Sequence, residues 1–166
     1  MSLPDPYQLI DGLAEQVRPH LQPDCAFVGI HTGGAWVMDA LAERLAVDIP
    51  RGVLDIAFYR DDFSRIGLHP EVKPSRIPFE VEGRHLLLID DGLYTGRTIL
   101  AAMNLLFDYG RPASVRLAVL VDRGGRELPI CADFVGTRMD LAAGQHISLE
   151  RTPESRLHLI MGGSQA

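Results

Sequence analysis

Leu86-Leu87-Leu88-Ile89-Asp90-Asp91-Gly92-Leu93-Tyr94-Thr95-Gly96-Arg97-Thr98 is the stretch that decides the fold. Four aliphatic residues in a row predict a strand buried on both faces, as in a parallel sheet, rather than a half-exposed antiparallel strand. Two carboxylates follow where that strand should end, and a short turn with Gly92 and Gly96 comes next. Thr98, Ile99, Ala102, Met103, Leu106 and Phe107 then recur at the spacing of an amphipathic helix. Strand, acidic pair, small-residue loop and helix make a binding-site layout. Ligands of open α/β sheets sit outside the carboxyl ends of the strands, where a helix N-terminus offers free N–H groups to a phosphate.

The chemistry follows residue by residue. Thr95, Gly96, Arg97 and Thr98 are expected to form the first helical turn, with converging N–H groups, two hydroxyls and a glycine that admits close approach. That suits a dianionic monophosphate. Asp90 and Asp91 cannot hold the same phosphate, since like charges repel. As acceptors only, they suit vicinal hydroxyls or a hydrated cation. Phosphate, diol and metal within one loop describe a ribose 5-phosphate. The lysine of a Walker loop is missing.

These thirteen residues resemble the phosphoribosyl-pyrophosphate (PRPP) motif of type I phosphoribosyltransferases: four apolar residues, two acidic, then T-G-x-T. The resemblance implies an α/β fold with a mostly parallel central sheet flanked by helices and a flexible flap over the active site.

The rest of the chain fits one domain over residues 1–166. At 166 residues, 46% apolar and 23% charged, it is large enough to bury a core unaided. Two cysteines without metal-ligand spacing suggest a reducing compartment, and no apolar run approaches the ~20 residues of a membrane span. No signal-peptide pattern opens the chain, so a cytoplasmic protein is expected. The net charge of −6 argues against a broad nucleic-acid surface.

Asp5 and Pro6 should start a helix running to about Leu21, with His20 near its C-terminal end. Ala26 to Ile30 should be a strand, followed by His31-Thr32-Gly33-Gly34 and a helix carrying Val37, Met38, Leu41, Ala42 and Leu45. This second strand–glycine loop–helix unit resembles the pyrophosphate loop of the same enzymes, assigned here to Thr32, Gly33 and Gly34. Members of the class carry an arginine where Gly33 stands, so a fixed positive charge is missing beside a departing polyanion.

Val53 to Tyr59 should be a strand leading into Arg60, Asp61 and Asp62. From Asp61 to Pro78 apolar content falls and prolines interrupt regular structure, which suits a lid or a solvated hairpin arm. The resemblance favours the lid, a flap over about 60–78 that would exclude water. Val115 to Val121 reads as a buried strand, Ala132 to Gly136 as a short one, and His146–Leu149 with Leu157–Met161 as a closing antiparallel pair. Gly162 to Ala166 should fray.

Asp55 to Asp62, Leu93 to Thr98, Gly110-Arg111-Pro112 and Leu117 to Pro129, with its R-G-x-R-E-L-P run, are similar to the pyrimidine operon regulator/uracil phosphoribosyltransferase family. That resemblance implies uracil and PRPP as substrates, UMP and pyrophosphate as products, Mg²⁺ as cofactor, and a homodimer or higher oligomer. It places Asp90 and Asp91 at the ribose hydroxyls as catalytic groups, and uracil against Val121, Asp122 and Arg123. Mg²⁺ would be held mainly by PRPP, with Asp90 or Asp91 the protein groups beside it. Many members also bind the leader of pyrimidine-gene messenger RNA. Here Asp11 and Glu15 occupy the first helix, and Gly125, Cys131 and Thr137 stand where basic residues are usual. Arg123, Arg126 and Arg138 remain as a residual patch, so RNA binding is expected to be weak or absent. A nucleotide-responsive regulator with little catalysis, or a transferase for another base such as a purine, are the rival readings.

Overall fold

The computed structural model describes residues 2–56 and 75–163. In chain order the elements are α1 (Pro6–Val17), a 3₁₀ turn (Arg18–His20), β1 (Ala26–Ile30), α2 (Gly33–Leu45), β2 (Arg51–Leu54) and β3 (His85–Leu93). There follow α3 (Arg97–Asp108), β4 (Ser114–Asp122), β5 (Phe134–Arg138), β6 (Gln145–Arg151) and β7 (Leu157–Gly163). Five strands form one sheet in the order β2-β1-β3-β4-β5, and every pairing in it is parallel. β6 and β7 form a separate antiparallel pair.

The aliphatic run explains the layering. In a strand, alternate side chains face opposite ways. Leu87 and Ile89 join the core under α1, α2 and the β6–β7 pair, while Leu86 and Leu88 join the core under α3. All four are at most 3% exposed. Burying such a side chain contributes roughly 1.5–3 kcal/mol, so both faces of β3 are strongly fixed.

The helix starts follow local chemistry. Asp5 Oδ1 accepts from the Tyr7 N–H at 3.0 Å, with Pro6 at the first helical position. Regular α-helix stops at Val17 rather than about Leu21, because Pro19 has no N–H to continue the ladder. His20 lies in the 3₁₀ turn and packs against the Phe134 ring, 5.4 Å between centroids.

Several boundaries move. β2 begins at Arg51, two residues early, and the expected continuation from Ala57 to Tyr59 lies outside the described residues, as do Arg60, Asp61 and Asp62 of the flap. β3 does not end at the acidic pair but runs to Leu93. On its β4 side, pairing continues through Asp90, Gly92 and Leu93, whereas on its β1 side the ladder stops at Ile89. β5 is displaced two residues towards the C-terminus. Phe107 of the predicted apolar stripe is 55% exposed. Gly162 and Gly163, expected to fray, pair with His146 and Gln145. Among the described residues no helix is long and apolar enough to cross a membrane.

Candidate active site

The strand order reverses between β1 and β3, one neighbour leading to β2 and the other to β4. Such a switch point opens a crevice at the carboxyl ends of the strands. Asp90 and Asp91 stand just past the last β1–β3 partners, Gly29 and Ile89. Asp90 is buried and its Oδ1 accepts from the Asp91 N–H at 2.8 Å; Asp91 is half-buried.

The loop after β1 crosses directly over this pair. His31 N–H donates to Leu54 O at 2.8 Å, the His31–Thr32 peptide is cis, and α2 begins at Gly33 with Thr32 as its N-cap. A Cβ on Gly34 would lie 2.5 Å from Ile89 O and 3.0 Å from Asp90 Cα. One on Gly33 would collide with Asp91 Oδ2 and lie 2.6 Å from its Cγ. Thr32, Gly33 and Gly34 are therefore brought onto the acidic pair, which local sequence did not reveal.

The loop after β3 sits at the other side. Thr95 and Gly96 precede α3 rather than belonging to its first turn, and Gly96 is a left-handed N-cap with φ 96°. That conformation suits glycine, and a Cβ there would press on Ile130 at 3.0 Å. Thr95 Oγ1 accepts from Arg97 N–H at 3.2 Å, while Thr95 O accepts from the N–H groups of Glu127 and Leu128 at 2.9 and 3.1 Å. Arg97 Nε pairs with Glu127 Oε2 at 2.8 Å. A cleft of about 220 Å³ is lined by Gly92 to Gly96, Thr98, Ile99, Arg123 and Ile147. Thr95, Gly96 and Thr98 thus share one cavity wall with Arg123.

The three residues assigned to the base separate. Val121 and Arg123 line a small pocket with Asp91 and Ile147. The Asp122 side chain turns away to Arg126 Nη2 at 2.6 Å and Gly124 N–H at 3.0 Å. Burial alone would raise its carboxyl, but the hydrogen bonds from Arg126 and Gly124, with the charges of Arg126 and Arg138, hold it below the ordinary carboxylate range. The Arg123 guanidinium lies over the Tyr94 ring, 4.0 Å from its centroid, and Nη2 donates to Gln145 O at 2.8 Å; its buried Nε has no acceptor among the described residues.

Arg126, a candidate for the residual RNA patch, is engaged within its own loop and with Tyr94 O. Nη1 donates to Tyr94 O at 2.7 Å, Nε to Ile130 O at 2.9 Å and Nη2 to Asp122. It is a partly buried brace on the loop. Its partners are 2 to 32 residues away, so the sequence offered only the oddity of an arginine among loop glycines. Gly125 belongs to the same construction, since a Cβ there would run into the Tyr94 ring.

Among the described residues no group of three or more metal-ligating side chains occurs. The hard oxygens of Asp90 and Asp91 nonetheless fit Mg²⁺, which retains several waters and shares its shell with substrate phosphates.

Comparison with known proteins agrees with this layout. A phosphoribosyl transferase domain model matches residues 2–150. The bifunctional protein PyrR of Pseudomonas fluorescens is 52% identical over 163 residues, covering 96% of this chain and 97% of that protein. PyrR of Pseudomonas syringae pv. tomato is 54% identical over 153 residues, covering 90% of each. In fold, the chain is similar to a hypoxanthine-guanine phosphoribosyltransferase of Bacillus anthracis (TM-score 0.68, 17% identity, 84% and 83% of the two chains). A hypoxanthine phosphoribosyltransferase of Staphylococcus aureus gives a TM-score of 0.65 at 23% identity, over 86% and 76%.

Proposed function

This chain belongs to the phosphoribosyl transferase domain family and, within it, to the PyrR proteins, and from that premise we propose that it is a uracil phosphoribosyltransferase, converting uracil and PRPP to UMP and pyrophosphate. The observation that carries this reading is the acidic pair at the switch point, flanked by one glycine loop on each side. The chain, 1–166, acts as one transferase domain.

In this mechanism the protein does little covalent work; positioning and electrostatics supply most of the rate. Asp90 and Asp91 hold the ribose hydroxyls, and their negative charge stabilises the oxocarbenium-like carbon. Thr95, Gly96, Arg97 and Thr98 anchor the 5-phosphate. Thr32, Gly33 and Gly34 receive the pyrophosphate through backbone N–H groups. Uracil lies against Val121 and Arg123, where the buried Nε–H of Arg123 is an unpaired donor. An unpaired buried donor costs about 1–3 kcal/mol, which a base carbonyl would offset. Bound Mg²⁺ supplies neutralisation of the leaving diphosphate.

RNA binding is weak or absent in this reading. Arg126 is committed internally and Arg123 is stacked on Tyr94, so two of the three patch residues do not present free charge. Tight UMP-dependent retention of the organism's own pyrimidine leader RNA on a filter at ~0.15 M salt would overturn this point. A homodimer or larger assembly is proposed from the family.

A second reading, a UMP- or PRPP-responsive regulator with little catalysis, draws on the absence of a cationic side chain at Gly33. Steady-state UMP formation from uracil and PRPP with saturating Mg²⁺ decides between them. Turnover supports the transferase. UMP binding without turnover supports the regulator.

A further inference from the structure

We infer that a cavity under the amino-terminal edge of the sheet is a second ligand site, and that it takes a small monocyclic carboxylate. The acidic pair stands at the carboxyl ends of the parallel strands. Their amino ends begin at or beside Cys25, His85, Ser114 and Phe134, and these residues face the 3₁₀ turn that follows α1. A cavity of about 130 Å³ remains between them. It stays open because Pro19 ends regular helix at Val17, so α1 does not extend over the strand starts. None of the residues lining it belongs to the clefts at the carboxyl ends.

Size sets the first limit on the ligand. An apolar cavity of about 150 Å³ accepts benzene, so this one admits a single ring and excludes a nucleotide. Polarity sets the second. Val17, Leu87 and Phe134 are buried and apolar and form the floor, whereas Arg116 is exposed at the mouth. His20 and Phe134, 5.4 Å between ring centroids, give an aromatic wall against which a ring can pack. Charge sets the third. No acidic side chain lines the cavity, and Asp133, just before β5, is turned to the Leu117 N–H at 2.8 Å. Arg116 has no hydrogen bond or ion pair among the described residues. His85 Nδ1 and Ser114 Oγ occupy each other at 2.7 Å across the first residues of β3 and β4. One free guanidinium at the rim of an apolar, acid-free cavity matches a carboxylate, which it can hold by two parallel N–H···O bonds, while the ring below is removed from water.

The test is an amide-resolved NMR titration of the full-length chain at neutral pH with benzoate, benzyl alcohol and benzamidine, which share a ring and differ in charge. Benzoate should shift the amides of Val17, Leu21, Cys25 and Leu87, leave those of Thr95 and Gly96 in place, and bind equally well with UMP present. It should bind at least about tenfold more tightly than benzyl alcohol, and benzamidine should bind more weakly still. Arg116→Gln should weaken benzoate about tenfold and leave benzyl alcohol unchanged. Leu21→Trp, which places an indole at the cavity wall, should remove both. No binding of benzoate, shifts confined to Gly92–Ile99, or displacement by UMP would overturn the inference. So would equal affinity for benzoate and benzyl alcohol, undiminished benzoate binding in Arg116→Gln, or retained binding in a folded Leu21→Trp. Arg116 is exposed, so the charge variant decides the matter even if the Leu21 variant does not fold.

Discussion

At the ends of β1 and β3 the chain leaves a strand through a glycine-bearing loop into a helix, and the two loops are held in opposite ways. The loop after β3 is braced from outside: Glu127 and Leu128 donate to Thr95 O, Arg126 to Tyr94 O, and Ile130 packs under Gly96. The loop after β1 lies on the backbone and carboxylates of the neighbouring strand, with Gly33 and Gly34 closing on Asp91, Ile89 O and Asp90. In the proposed function the first is a preformed anion cradle. The other is built against the acidic pair, so in that reading its hold on an anion depends on the charge of the pair.

The sharpest way to break this contrast is to neutralise both acids. Asp90→Asn, Asp91→Asn keeps the shape and removes the charge, and UMP formation is expected to fall about 10³-fold or more, since electrostatic groups at a developing charge contribute on this scale. The measurement is steady-state turnover beside a thermal melt. A folded double variant with near-normal turnover would detach the acidic pair from the chemistry altogether.

Second in size is the brace. Arg126 and Asp122 are both largely buried, their side chains 24% and 10% exposed, and the guanidinium reaches two carbonyls as well. Removing one partner of such a pair leaves a buried charge unpaired, so Arg126→Ala should cost about 3 kcal/mol in urea unfolding. It should also weaken UMP binding, because Tyr94 O loses its anchor at the phosphate loop. An Arg126→Ala variant as stable as wild type would mean that the loop holds itself.

Why one loop was legible and the other only in part has a physical answer. The aliphatic run, the helical spacing after Thr98 and the Asp5-Pro6 start are local patterns, and the parallel sheet and α1 follow from them. The extension of β3 through Asp90 to Leu93 was missed because pairing there is one-sided, lost towards β1 and kept towards β4. No property of a single strand reports which neighbour persists. Arg126 read as a surface cation because its charge is visible in sequence and its acceptors are not. Likewise, the contact between Gly33 and Asp91 spans 58 positions and appears only when two strand ends meet.

Third, Gly96 tests how far the cradle is preformed. Its φ of 96° and the Ile130 contact at 3.0 Å mean that Gly96→Ala must strain the backbone and shift a side chain. A cost of roughly 1–2 kcal/mol is expected, appearing as about tenfold weaker UMP binding. An unchanged affinity would show that the loop adapts on binding rather than waiting in shape.

The smallest effect is the acid response of the brace, which probes the loop after β3 through the Arg126–Asp122 ion pair. Asp122 has a folded-state pKa below its ordinary value of 3.8, since Arg126 and Gly124 favour the carboxylate more than burial disfavours it. Its contribution is therefore fully present above the unfolded value and is lost as pH falls through the folded one. This group should add no pH dependence to the urea midpoint between pH 5 and 8, and its contribution should be lost progressively below about pH 4. In Asp122→Asn the neutral-pH midpoint should be lower and that part of the acid decline absent. Parallel acid limbs in wild type and variant would assign the loss to other carboxylates and leave the brace a matter of hydrogen bonding rather than charge.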